Sequence, residues 1–237
     1  MTAVDADALV ADLRASLAPF ADPTRAAASQ RYLKTAMPML GVPRPDQKRV
    51  FRAVFARHGM SGRGSAGADD SAAWDAAVRR LWAEPEREAK YAAIALLQVQ
   101  RGRFLTLDAV PLLEQLVREG AWWDLVDEIA AHAVGAVVAR DRAAMRPVLE
   151  RWIADPDPWV RRTALLAQLR HRADTDVALL LDLCLRQAPD RSFWIRKAIG
   201  WALRQHARTD PDAVRAFLAA HGAALSGLSR REAAKHL

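Results

Sequence analysis

The feature that most restricts the fold of this chain is a tryptophan that returns at an almost fixed distance. Trp159 opens WVRRTALLAQL, and Trp194 opens WIRKAIGWALRQ 35 positions later. Trp123 opens WDLVDEIAAHA 36 positions before Trp159. In the stretches that open at Trp159 and Trp194 the indole is followed by a β-branched residue and then by basic residues. A unit of this length cannot bury its apolar face alone, so it stacks on copies of itself. Equivalent positions of successive units then lie side by side.

Each unit reads as two helices. Val, Ile, Thr and Tyr never alternate with period 2, whereas apolar residues recur at helical spacing. Asp22-Pro23 has the form of an N-cap followed by proline at the first helical position, and Gly59 closes a helix that begins near Pro45. Further helices are expected near 71–83, 86–100, 107–119, 122–137, 141–154, 157–171, 175–187, 192–207, 211–221 and 228–236. Short connections between them favour antiparallel neighbours. The expectation is an all-α, HEAT-like α-solenoid in a single domain over 1–237, with a concave basic face. The Gly- and Ser-rich stretch GMSGRGSAGADDS (59–71) reads as its one flexible loop.

Composition narrows the function. The formal net charge is +7. Residues 140–237 hold 18 Lys and Arg against 11 Asp and Glu, so the whole excess lies there. Such asymmetry points that part towards a polyanion. The single cysteine, Cys184, excludes a disulfide framework and a cysteine-based zinc site. His132, His171 and His206 lie on separate helices without metal-ligand spacing, so no metal and no cofactor is expected. The start lacks the basic and apolar regions of a signal peptide, and no apolar run suggests a membrane span. A cytoplasmic monomer is the expectation.

The stretch GAWWDLVDEIAAHAVG (120–135) carries the chemistry. Trp122, Val126, Ile129 and Ala133 form a core stripe if the helix begins there. Trp123 and Asp127, at i and i+4, share another face. An indole beside a carboxylate suits a cation lying on an aromatic surface. Aligning the tryptophans places Trp123 and Asp127, then Trp159 and Arg162, then Lys197 and Trp201 along the inner helices. Arg161 adds a further charge. Indoles among basic groups are the footprint of a nucleic-acid surface. A carboxylate there would repel phosphate, yet it would stabilise the oxocarbenium-like sugar formed when an N-glycosidic bond breaks.

The blander alternatives stand beside this reading. Trp122, Trp152 and Trp159 also suit core positions. Asp127 near a helix start could serve the helix dipole. Arg162 could pair with an acid of the neighbouring repeat. A non-catalytic repeat scaffold binding nucleic acid or protein is the competing function, because fold alone does not fix activity.

Four stretches together resemble the AlkD-like DNA alkylation repair glycosylases, a family built of HEAT-like repeats: YLKTAMPMLGVPRPDQKR (32–49), AWWDLVDEIAAHAVG (121–135), DPWVRRTALLAQL (157–169) and SFWIRKAIGWALRQHARTDP (192–211). The resemblance runs from about residue 30 onward. It implies excision of cationic N3- and N7-alkylated purines from double-stranded DNA. It implies that Trp123 and Trp201 contact the lesion nucleotide, and that Asp127 stabilises the developing cation and positions water. It also implies that Arg162 holds backbone phosphate, and that Lys197 is a phosphate contact rather than a nucleophile.

Overall fold

The computed structural model of the chain describes residues 5–61 and 68–237. Among these there is no strand, and the helices follow one another with short connections. The fold is all-α and consistent with an α-solenoid. No helix of the described residues is long and apolar enough to cross a membrane. Of the expected loop at 59–71, residues 62–67 lie outside the described residues. The chain forms two compact units, Met1–Leu105 and Thr106–Leu237.

In the first unit, Asp5 caps the helix Ala6–Leu17 by accepting the backbone N–H groups of Asp7 and Ala8. Leu9, Leu13 and Leu17 then project at four-residue intervals into the core. The expected proline start at Asp22-Pro23 is present, with the Asp22 carboxylate accepting from the Arg25 N–H. The segment TAMPMLGV turns over a fully buried acid. Glu88 accepts the backbone N–H groups of Leu40 and Gly41 at 3.0 and 2.8 Å. Charge-assisted bonds of this kind satisfy a loop that has no helical partners of its own.

In the second unit, helices one repeat apart pack side by side. Pro158–Leu166 lies between the 123–134 segment and Phe193–Ala207. The packing is close because small residues permit it. A Cβ on Gly135 would come 2.7 Å from the Ala167 carbonyl oxygen. A Cβ on Gly200 would collide with Glu232 and lie 2.9 Å from the Ser229 carbonyl oxygen. That glycine admits the C-terminal helix Gly227–Ala233 against Phe193–Ala207.

Two boundaries differ from expectation in ways that matter. The helix expected over 157–171 ends at Leu166, and a 3-10 turn, Arg172–Asp174, follows. The helix expected over 122–137 starts one residue later and runs on as Trp123–Glu128, a π-helical stretch Ile129–Val134, and Gly135–Arg140. The buried pairs Leu125-Val126, Ile129-Ala130, Ala133-Val134 and Val137-Val138 recur every four residues. On a 3.6-residue helix such a pattern drifts by about 40° per repeat. A wider turn absorbs the drift and keeps all four pairs on the core.

Candidate active site

Asp127 sits in the last turn of Trp123–Glu128, immediately before the π-helical stretch. Its partner is Arg162, five positions into the helix that starts at Pro158. Arg162 Nε donates to Asp127 Oδ1 at 2.6 Å and Nη2 donates to Oδ2 at 2.8 Å. The third face of the guanidinium is also occupied, because Nη1 donates to the Trp194 carbonyl oxygen at 2.6 Å. The Arg162 side chain is 3% exposed and that of Asp127 12%. This is a bidentate pair shielded from solvent, the strongest geometry available to such groups.

Burial pushes the Asp127 carboxyl above its ordinary value, against the downward pull of Arg162. Asp124 and Glu128 on the same helix push it further upward. The carboxylate is thus oriented and desolvated. Its charge is largely cancelled by Arg162, so it repels an approaching phosphate far less than a bare acid would.

Above this pair stands an aromatic cluster. The rings of Trp122, Trp159 and Trp194 lie mutually within 6 Å, at centroid distances of 5.9, 5.4 and 5.4 Å. Phe193, 55% exposed, meets Trp194 edge-on at 5.1 Å. The Arg162 guanidinium carbon lies 5.9 Å from the centre of the Trp194 ring. Through Trp194 the cluster therefore adjoins the arginine that holds Asp127.

This geometry corrects the alignment of the first repeat by one residue. Trp122, not Trp123, joins Trp159 and Trp194, and it does so from an extended backbone at the N-cap rather than from a helical core stripe. Counted from their helix starts, Asp127, Arg162 and Lys197 occupy the same position at intervals of 35. Neighbouring repeats place equivalent residues side by side, so the acid and the arginine meet. A constant spacing of 35 was present in the sequence as the signal for this pairing.

The remaining candidates are distributed as follows. Trp123 is half-buried at the first helical position, four residues before Asp127. Trp201 is half-buried and lines an open pocket with Leu169, Arg170, His171, Arg172 and Gln205. Trp159 is buried within the aromatic cluster. The basic candidates are engaged internally. Arg161 donates to the carbonyls of Asp155 and Pro156 and pairs with Asp190 at 3.1 Å. Lys197 pairs with Glu232 at 2.8 Å, and Glu232 also holds Arg204 and Lys235. The Lys197 and Lys235 ammonium groups pull the Glu232 carboxyl down to about 2, Lys197 acting most strongly.

His171 is a residue that sequence reasoning set aside. Its Nε2 lies 2.9 Å from the Gly135 carbonyl oxygen, which fastens the turn after Pro158–Leu166 to the helix carrying Asp127. Burial lowers its pKa, so the ring is neutral and Nε2–H is the donor. Among the described residues no group of three His, Cys, Asp or Glu side chains is placed to hold a metal ion.

Comparison with known proteins places this geometry in context. The model of a family described as DNA alkylation repair enzyme matches residues 13–237. A solved structure described as a predicted DNA alkylation repair enzyme from Enterococcus faecalis superposes with a TM-score of 0.79 at 28% identity, covering 92% of this chain and 96% of that one. No curated protein matches the chain.

Proposed function

Because the chain belongs to the DNA alkylation repair enzyme family, we propose that it is a monofunctional DNA glycosylase acting on duplex DNA that carries cationic N3- or N7-alkylated purines. The observation that supports this reading is the shielded carboxylate of Asp127, fixed by two hydrogen bonds from a buried arginine. A scaffold that only binds phosphate gains nothing from such a group.

In this reading the bond between C1′ and the purine nitrogen breaks, and its electron pair leaves with the base. The alkylated purine is already positively charged, so it departs neutral and needs no proton from an acid. The positive charge passes to the sugar, where Asp127 stabilises it. Water then adds to C1′ and releases a proton, which Asp127 or solvent accepts. Trp123 and Trp201 contact the lesion nucleotide and offer indole faces to the cation. Arg162 acts chiefly by orienting Asp127 and holding it ionised. All these residues belong to one unit of one chain, so a monomer suffices.

The test is base release from a duplex containing one 7-methylguanine, with wild type and Asp127→Asn compared at equal DNA occupancy. Loss of a carboxylate in this role is worth on the order of 10²-fold or more in rate. Full activity in the variant refutes the assigned mechanism. Binding without release by wild type, on this duplex and on one carrying 3-methyladenine, makes the chain a DNA-binding scaffold instead.

A further inference from the structure

Most basic side chains around the site are already committed within the protein. Arg118, Arg161, Arg162, Lys197 and Arg204 each lie within hydrogen-bonding distance of an acid. Arg142, Arg170 and Arg172 differ. All three are exposed, and none has an ion-pair or hydrogen-bond partner for its side chain among the described residues.

These three converge on one place. Arg170 and Arg172 line, with Trp201, an open pocket of about 580 Å³ whose one acid is Asp174. Arg142 lies outside the pocket lining but opens the helix Arg142–Trp152, which packs against Gly135–Arg140 and Pro158–Leu166, the two helices that the His171–Gly135 bond joins through the turn after Leu166. The turn that carries Arg170 and Arg172 is anchored by His171 to Gly135, on the continuous helix that bears Asp127. Arg172 has a left-handed backbone, with φ of 53°. For a non-glycine residue this conformation costs on the order of 1 kcal/mol or more and persists only where the surroundings impose it. It fixes the direction in which the Arg172 side chain leaves the turn.

We propose that Arg142, Arg170 and Arg172 form a phosphodiester-binding rim that holds the backbone of duplex DNA against Trp201. The proposal deepens the glycosylase reading and rests on it for the identity of the polyanion. Three guanidinium forks match phosphate oxygens bidentately, and they outweigh the one carboxylate of Asp174. The pocket is open rather than enclosed, so it suits a passing strand better than a small molecule. The Gln205 amide adds a neutral donor of the kind that contacts sugar and phosphate. The rim replaces Arg161, Arg162 and Lys197 as the source of phosphate contacts, because their charges are spent on Asp190, Asp127 and Glu232.

The experiment is binding to an unmodified duplex, followed by fluorescence anisotropy between 50 and 200 mM salt. Arg142→Gln, Arg170→Gln and Arg172→Asn are compared singly and together with wild type. Asparagine tolerates the left-handed backbone, so loss of binding at 172 does not reflect a strained fold; matching thermal melts check this. Each true contact removed lowers the salt slope by about 1 and the affinity by on the order of 10-fold near 0.1 M salt. Arg170→Lys keeps the wild-type slope. A triple variant with the wild-type slope overturns the proposal, whether or not wild type releases alkylated base. A reduced slope in a protein that releases no base upholds the rim and overturns the glycosylase reading instead.

Discussion

Removing Arg162 separates two roles that a basic residue near DNA can have. In Arg162→Gln the Asp127 carboxylate loses both guanidinium bonds, and the Trp194 carbonyl loses its donor. The pair is buried, so what remains is a charge in a low-dielectric setting without its counter-ion. Breaking one side of such a pair costs roughly 3–5 kcal/mol. The lower end applies here, because Asp127 can take up a proton rather than stay charged. For a chain of this size that corresponds to a fall in melting temperature of roughly 6–12 °C. Loss of the guanidinium also raises the Asp127 pKa further, so the acid limb of the base-release profile moves to higher pH. Pairing Arg162→Gln with Asp127→Asn removes the stranded charge and recovers most of the stability, though not the activity. Calorimetry, a pH–rate profile and a salt titration of DNA binding together decide the matter. If Arg162→Gln melts like wild type while its salt slope falls by about 1, then Arg162 serves phosphate in solution and the internal-clamp argument is wrong.

Three further outcomes follow from the packing and the titrating groups. Gly200→Ala forces a Cβ towards the Ser229 carbonyl and Glu232; it costs roughly 1–3 kcal/mol in a denaturant melt, and an unchanged midpoint would mean that the C-terminal helix shifts freely. Glu232 has a carboxyl pulled from 4.5 to about 2, so its stabilisation is complete above about pH 4.5 and is lost as pH falls towards 2. Glu232→Gln removes that acid dependence and, with solvent screening of its cations, no more than about 1–2 kcal/mol at neutral pH. His206 is buried with neither ring nitrogen bonded, and burial lowers its pKa. The unfolded chain therefore binds the proton more tightly, stability falls as pH drops below about 6.5, and His206→Phe flattens the melting temperature between pH 7.5 and 5.5. His171 contributes in the same direction, so some slope remains in that variant.

The sequence by itself determined the helical architecture. Proline and aspartate starts fix helix boundaries through local backbone geometry, which is why Asp22-Pro23 and Asp157-Pro158 are legible without a structure. The tryptophan spacing likewise makes Arg162 and Lys197 equivalent, whereas Asp127 joins their register only once the helix starts at Trp123, Pro158 and Phe193 are known. Tertiary structure decided which of the paired tryptophans turns to the neighbouring repeat. Trp122 reaches Trp159 and Trp194 only because Ala121 and Trp122 leave the helical path, Ala121 with a φ of 33°. It also decided which cations remain available. Arg161, Arg162 and Lys197 look like an open basic groove in sequence, yet each is neutralised by an acid 29–35 residues away. Helical periodicity is a property of successive residues, whereas charge pairing depends on how helices one repeat apart lie against each other. That lateral register is set by small contacts such as Gly135 on Ala167 and by the wide turn at Ile129–Val134.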